Sequence, residues 1–185
     1  MTAGALMSTI SPTFGPFEKE LTHFLKEMES EDELGVVVRC AIHIEHQVLG
    51  FVKDALPNGD AIDRRDWEYS DLLTLAQACD LSPQVLAPAR AIAKIRNQFA
   101  HNLDYALDKN ASGSLQSTLT GVPLMSYRAA VKDLYNRKKQ GTKIDMDLDR
   151  PLDQFKMIAY IVILSVTALR IKATRGTANS KPATM

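Results

Sequence analysis

The sequence predicts an all-α fold, built as one helical bundle. Apolar residues recur at three- and four-residue steps in successive segments, and this spacing places them on one face of a helix. No segment alternates apolar and polar residues over the length of a strand, and the chain shows neither an internal repeat nor a heptad series. Its 185 residues, 45% of them hydrophobic, are enough to bury a core without disulfides or metals.

Boundary signals divide the helical pattern into elements. The turn Pro57-Asn58-Gly59 ends the second helix, and Ser82 with Pro83 opens the fourth, serine as N-cap and proline at the first helical position. Pro88 produces either a kink or a restart in that helix, because proline removes one backbone hydrogen bond. The predicted helices cover residues 17–28, 33–56, 69–79, 82–101, 127–138 and 151–172.

Two of these helices are the most apolar. The second is expected at the centre of the bundle, and the last contains the almost wholly apolar run 157–169. That run has 13 residues, fewer than the roughly 20 needed to cross a bilayer, so it predicts a buried helix and no membrane partner. The inward positions expected on the second helix are Leu34, Val37, Val38, Ala41, Ile44, Val48, Leu49 and Val52.

Residues 16–172 form the predicted domain, with a tail at either end. Residues 1–15 lack the basic start and apolar core of a secretory signal and predict a flexible lead. Residues 173–185 lose all periodicity and predict a disordered tail. Residues 102–125 are rich in Ser, Thr, Gly, Asn and Asp, so they predict a long loop with room for one helical turn. Long loops in compact domains are often functional.

Charge and cysteine content narrow the class of protein. The chain has 22 basic and 22 acidic residues, so no overall field draws it to nucleic acid, and any such site is local. Cys40 and Cys79 lie in apolar helical patterns without zinc spacing, which predicts reduced thiols and a cytoplasmic protein. His43 and His46 lack a third ligand at metal spacing, so neither a metal nor a cofactor is predicted.

The segment Arg96-Asn97-Gln98-Phe99-Ala100-His101, at the end of the fourth helix, is the main functional candidate. Arginine holds a phosphate through a two-pronged fork that is always charged, and histidine exchanges a proton near neutral pH. Together they suit gripping or cleaving RNA. The structural alternative is that Arg96 pairs with a core carboxylate and that His101 caps the helix.

Helical geometry restricts how Arg96 and His101 can act together. Five helical residues advance about 7.5 Å and turn about 500°, so Arg96 and His101 point roughly 140° apart. Asn97 and His101 share a face. The arginine and the histidine converge only if the helix unwinds after Ala100, or if two copies of the segment face each other across a dimer. A working site therefore requires one of these two arrangements.

With four residues between the arginine and the histidine, and with asparagine directly after the arginine, the segment resembles the signature of the HEPN superfamily of α-helical bundles. Within that superfamily the chain is most similar to the mannitol-operon-repressor (MltR) group. The order of elements agrees: an early apolar helix carrying Glu45, the helix end at Arg96, a loop, and an apolar last helix ending at Lys172. The resemblance covers residues 34–172.

The resemblance implies a role for each of four residues. In active members of the family the arginine binds the scissile phosphate, and the histidine acts on the 2′-hydroxyl of RNA or on the departing oxygen, without a metal. On this chain Arg96 is then the phosphate clamp, His101 the general acid or base, and Asn97 a positioning residue. Glu45 orients Arg96 or His101 through a charged hydrogen bond. Equally, Glu45 is a buried carboxylate that needs a cation for structural reasons.

Two functions of different class remain open on the sequence. The first is an MltR-like regulatory or interaction protein, a homodimer that acts in transcription regulation through partners, in which the motif organises the fold or binds a small anion. The second is a metal-independent endoribonuclease of toxin or defence type, with RNA as substrate and an antitoxin as protein partner. Neutral net charge favours the first. The basic run 137–143 beside Tyr135 is either solvated surface or a phosphate-binding strip.

Overall fold

The structure, a computed structural model, describes residues 23–24, 26–28, 32–64 and 67–179, of which residues 64 and 174–179 are described by their backbone alone. Within these ranges all regular structure is helical, which confirms the all-α prediction. The elements are α1 (Glu33–Ala55), a 3₁₀ helix (Gly59–Arg64), α2 (Tyr69–Ala78), α3 (Pro83–His101), α4 (Lys109–Ser117), α5 (Gly121–Lys139) and α6 (Pro151–Asn179).

Helices α1 and α6 form the centre of the bundle. The Thr167 hydroxyl donates to Gln47 Oε1 at 3.3 Å, and Arg170 Nε donates to Asp54 Oδ2 at 2.9 Å. Because residue numbers rise together in these two contacts, the helices run parallel. The fully buried positions along them are Val36, Val37, Cys40, Ile44, Val48 and Val52 on α1, and Phe155, Ile158, Ala159, Val162 and Val166 on α6.

The predicted inward face of α1 is largely confirmed, but the prediction that Leu34 faces inward is wrong. Its side chain is 47% exposed, and Ile42, two turns further on, is 58% exposed. Leu34, half-buried Val38 and Ile42 follow one another at four-residue steps, so they lie on one face of the helix. We call these three residues the outer stripe of α1. The helix has more apolar residues than its contacts with the other helices cover.

Helix α3 begins as the sequence predicts. Ser82 is the N-cap, its Oγ accepts a hydrogen bond from the Gln84 amide at 3.3 Å, and Pro83 occupies the first helical position. The helix continues without a break through Pro88, which is buried. At its far end the Leu107 amide donates to Glu33 Oε2 at 3.3 Å, so the end of α3 lies near the start of α1. Helix α3 therefore returns along α1 in the opposite direction.

The predicted loop 102–125 is wrong, because it contains helix α4 and the first turn of α5. The carboxylate of Asp108 caps α4 by accepting a hydrogen bond from the Ala111 amide at 2.7 Å. Leu115 and Leu119 are buried in the core, with 1% and 3% of their surface exposed. Helix α4 was not predicted, because most of its residues are small and polar. One cap and two buried leucines stabilise it instead.

The ends of the chain are described only in part. Of the predicted helix 17–28, the described residues 23–24 and 26–28 include Phe24 and Met28, both buried as predicted. The predicted lead, residues 1–15, lies outside the described residues, as do residues 180–185. Helix α6 extends to Asn179, so residues 173–179, predicted to be disordered, are helical in backbone.

Among the described residues, two helices are long and apolar enough to cross a membrane by length and composition. They are Glu33–Ala55 and the segment Pro151–Ala173, and about half of each is buried inside the protein. The uninterrupted apolar run 157–169, from which a buried helix was predicted, is shorter than the helix that contains it. Buried core helices of soluble proteins meet the same criterion, so the absence of a membrane partner stays a prediction.

Candidate functional site

A cleft of about 700 Å³ opens between α2 and α3 beside α1. Helix α1 contributes Glu45 to its wall, the segment before α2 contributes Trp67, and α2 contributes its first residue, Tyr69. Helix α3 contributes Arg96 and Asn97, and its residues Arg90 and Lys94 complete the cationic side. We call this the Arg96 cleft. It brings together three of the four residues that the sequence singled out.

The position of α3 follows from its two faces. Ile92 and Ile95 are buried in the core and fix the helix in the bundle. Arg90, Lys94 and Asn97 recur at four- and three-residue steps on the opposite side, so they line the cleft in one row. Arg96 lies beside that row and is half-buried. It lines the cleft together with that row.

Three polar groups in the cleft have no partner among the residues that the structure describes. Neither the guanidinium of Arg96 nor the carboxylate of Glu45 forms an ion pair or hydrogen bond there, and the buried hydroxyl of Tyr69 has no hydrogen-bond partner. Burial raises the pKa of Tyr69, the charge of Glu45 raises it further, and Arg96 lowers it. The phenol is therefore neutral and available as a hydrogen-bond donor.

These observations bear on the two interpretations of Arg96. The structural one required an ion pair with a core carboxylate, and Arg96 forms none with the described residues. Glu45 lies on the same cleft and influences the same tyrosine as Arg96 does, but it makes no salt bridge with it. Arg96 is thus half-buried and unpaired among the described residues, and a guanidinium in such a position is able to bind an anion.

His101 lies outside this group. It is the last residue of α3, it is exposed, and the next residue, Asn102, is the C-cap. The helix stays regular to its end, so the unwinding after Ala100 that would bring His101 to Arg96 does not occur. His101 shares the helix face of Asn97 and lies one turn beyond the Arg96 cleft. Within one chain the two motif residues do not converge.

The histidines of α1 take part in packing. His43 Nε2 lies 2.8 Å from Glu27 Oε2, and the His43 ring meets Phe24 edge-on at 4.7 Å. His23 lies 3.4 Å from the same carboxylate, and His46 is exposed. Across the described part of the chain no group of three His, Cys, Asp or Glu side chains could hold a metal ion.

Sequence reasoning missed part of the cleft. Arg90 and Lys94 carried a usable signal, since they precede Asn97 at helical spacing on an exposed face. Tyr69 and Trp67 carried none, because their distance from Arg96 depends on how α2 packs against α3. In the basic run, Arg137 forms an ion pair with Asp133 at 2.8 Å, while Lys138 and Lys139 are exposed.

Comparison of the chain with family models, with curated proteins and with solved structures finds no match. Its function is therefore argued from the cleft and its residues.

Proposed function

We propose that this chain is a regulatory or interaction protein of HEPN type that binds an anion in the Arg96 cleft and acts as a homodimer. The observation that carries the proposal is the meeting of Arg96 and the Tyr69 hydroxyl, both without partners among the described residues, in one cleft where Arg90, Lys94 and Arg96 outnumber the carboxylates of Glu45 and Glu68. Arginine supplies the fixed charge, and the tyrosine donates a hydrogen bond to the same anion.

The absence of His101 from the cleft favours binding over catalysis by a single chain. RNA cleavage of the implied kind needs a group that moves a proton near neutral pH next to the bound phosphate. His101 points away from Arg96 on a regular helix. The neutral phenol of Tyr69 is suited to donate a hydrogen bond rather than to accept a proton. A single chain is thus equipped to hold an anion.

The outer stripe of α1 supports the homodimer. Leu34 and Ile42 expose about half of their surfaces, and the helix face that carries them continues to Glu45 in the Arg96 cleft. Leu103, just after α3, is fully exposed. Apolar side chains grouped on one face are typical of a protein interface. A second copy placed on this face lies beside the cleft.

The second candidate is a metal-independent endoribonuclease with one composite site per dimer. His101 favours it, because the side chain is exposed on the helix face of Asn97, just beyond the cleft. In a dimer that packs these ends together, His101 of one copy meets Arg96 of the other. The histidine then supplies the proton transfer that the single chain lacks.

Binding of inorganic phosphate tests the first proposal. We expect titration calorimetry to show phosphate binding by the wild type, loss of at least about tenfold in affinity for Arg96→Ala, and a smaller loss for Tyr69→Phe. Lys109→Ala is the matched control, because Lys109 is an exposed basic residue outside the cleft. Equal phosphate affinity in wild type and Arg96→Ala contradicts the proposal.

Incubation with total RNA in EDTA separates the two candidates. RNA cleavage by the wild type that both Arg96→Ala and His101→Ala abolish establishes the ribonuclease and ends the purely regulatory interpretation. Intact RNA, together with phosphate binding that depends on Arg96, supports the regulator. His101→Ala then leaves phosphate affinity unchanged, because His101 lies outside the cleft.

A further inference from the structure

Helix α5 carries an unusual concentration of positive charge for a chain of zero net charge. Between Gly121 and Lys139 it has five basic residues and one acidic residue, Asp133. Asp133 forms an ion pair with Arg137 at 2.8 Å, so the charge of Asp133 is neutralised by Arg137. The remaining basic residues of this helix are exposed: Arg128, Lys132, Lys138 and Lys139.

Three of these cations form a row. At 100° per residue, Arg128, Lys132 and Lys139 fall within about 40° of one another, opposite the buried residues Tyr127 and Leu134. They are spaced by about 6 and about 10.5 Å along the helix. Among the described residues none of the three has an ion-pair partner. Their charges face solvent uncompensated.

An aromatic side chain lies within this row. Tyr135 falls between Lys132 and Lys139 along the helix, about 20° from Arg128 around it, and it is 67% exposed. Nothing in the fold requires a tyrosine there, because its ring is not buried. Cations with an exposed aromatic ring among them are the elements with which proteins bind single-stranded nucleic acid, the cations holding phosphates and the ring stacking on a base.

We infer that Arg128, Lys132, Tyr135 and Lys139, the basic strip of α5, bind single-stranded nucleic acid. The strip lies outside the Arg96 cleft, and α5 reaches α3 near Gln84, at the end of α3 remote from His101. The inference goes beyond the proposed function and does not depend on it. It gives a protein of neutral net charge the local patch that phosphate binding requires.

The order of side chains around α5 argues against a membrane surface as the ligand. A helix that lies on a membrane has apolar residues at the centre of its exposed face and cations at the flanks. On α5 the cations occupy the centre of the exposed face, and the exposed apolar residues Val122 and Met125 lie toward its N-terminal end. The arrangement favours a charged strand with stackable bases.

Fluorescence anisotropy with a labelled oligouridylate of about 16 nucleotides tests the strip. We expect Arg128→Ala, Lys132→Ala and Lys139→Ala together to weaken binding at least about tenfold at low salt, and to lower the slope of log affinity against log salt by about 2, or about 0.7 for each phosphate contact. Tyr135→Ala weakens binding about fivefold or more, whereas Tyr135→Phe keeps the stacking ring and the affinity.

Matched variants keep this test separate from the cleft and from folding. Lys109→Ala removes an exposed lysine on α4, outside the strip and outside the cleft, and retains oligouridylate binding. All substituted side chains of the strip are exposed, so thermal unfolding stays at the wild-type midpoint, and the single change Lys132→Ala gives a partial loss if the triple variant is unstable.

Three outcomes overturn the inference. The first is unchanged oligouridylate affinity in the triple variant or in Lys132→Ala. The second is equal affinity for poly-glutamate, a polyanion that has no rings to stack on Tyr135. The third is binding to phosphatidylserine–phosphatidylcholine vesicles, dependent on the same lysines, without binding to the oligonucleotide. Phosphate binding in the Arg96 cleft is measured in a separate experiment. Neither outcome of that experiment bears on whether the strip binds nucleic acid.

Discussion

Two arginines show how partners decide what a residue does. Arg170 donates to Asp54 at 2.9 Å and to Gln47 at 2.9 Å, so its charge is used in joining α1 to α6. Arg96 is also half-buried, yet it forms no such pair with the described residues and opens onto a cleft. The first arginine stabilises the fold. The second has no such structural role among the described residues, and under the proposed function its charge serves the bound anion.

A substitution at Gly50 tests the structural role of Arg170. A Cβ at this position collides with the guanidinium of Arg170, which Asp54 and Gln47 hold in place. Although alanine is the better helix former, we expect Gly50→Ala to lower the free energy of unfolding by about 1–3 kcal/mol, because Arg170 must leave its partners. Urea unfolding followed by circular dichroism measures the change.

Gly113→Ala is the matched control for this experiment. Gly113 lies within α4, and a Cβ there meets no atom within 4 Å. We expect this change to raise the free energy of unfolding by about 0.5–1 kcal/mol, since the unfolded chain loses freedom and nothing collides. A stabilised Gly50→Ala would show that Arg170 is mobile and that its contacts add little.

At the scale of elements, the described residues 23–24 and 26–28 attach to α1 through one carboxylate. Glu27 lies 2.8 Å from His43 Nε2 and 3.2 Å from Arg39 Nη1, both on α1. Its hydrogen bond with His43 holds the pKa of Glu27 below its ordinary value of 4.5, and the charges of His23, His43 and Arg39 add to that effect. The attachment depends on the charged form of Glu27.

This attachment predicts a pH dependence of stability. A carboxyl whose pKa is lowered by folding stabilises the folded state above its unfolded pKa and loses that contribution as the pH falls through the folded value. We expect the melting temperature of the wild type to fall more steeply below pH 4.5 than that of Glu27→Gln. Thermal scans from neutral to acidic pH measure both slopes.

Glu68→Gln serves as the control for acidification. The Glu68 side chain is exposed and makes no capping hydrogen bond to α2, so its loss leaves the acid dependence as in the wild type. Parallel curves for wild type and Glu27→Gln would mean that the contact between Glu27 and His43 adds nothing to stability in solution.

Element boundaries differ in how far local sequence determines them. The start of α3 was predictable, because Ser82 and Pro83 are adjacent and act on the same turn. Helix α4 was not, since its residues are mostly small and polar and it depends on Leu115 and Leu119 entering a core built by distant segments. Tertiary packing overrode weak helix propensity there.

At the scale of the whole molecule, packing of α1, α2 and α3 creates the Arg96 cleft and leaves the outer stripe of α1 uncovered. Glu45 belongs to both features, because its helix face carries the stripe and its carboxylate faces the cleft. The proposed dimer and the proposed anion site are thus neighbours on one surface. Their proximity allows assembly and ligand binding to influence each other.

Replacement of Ile42 tests the dimer. The side chain is 58% exposed in the single chain, so we expect Ile42→Glu to leave folding intact while it introduces like charges across a two-fold interface. Light scattering after size exclusion then changes from twice the chain mass of 20.5 kDa to the single mass.

Val122→Glu is the control for the dimer test. Val122 is 63% exposed and lies on α5, away from the outer stripe of α1, so this variant keeps the wild-type mass. A wild-type protein that elutes at 20.5 kDa, or an Ile42→Glu variant that stays a dimer, contradicts the proposed interface.

The candidate site was predictable residue by residue but not as an arrangement. Arg96 and Asn97 were singled out by residue type and spacing and Glu45 by the family resemblance, and all three line the cleft. His101 was singled out on the same basis and lies outside it. Helical spacing indicated that outcome for a regular helix, but only the structure shows that α3 stays regular to His101.

The sequence by itself determined the all-α class, the start of α3, and the divergence of Arg96 and His101 on a regular helix. These features depend on interactions within a few turns of chain, where periodicity and caps act. Only the tertiary structure decided that Tyr69 joins Arg96 and Glu45, that α4 exists, and that Ile42 stays exposed. Each of these depends on packing between distant segments, and local spacing carries no information about it.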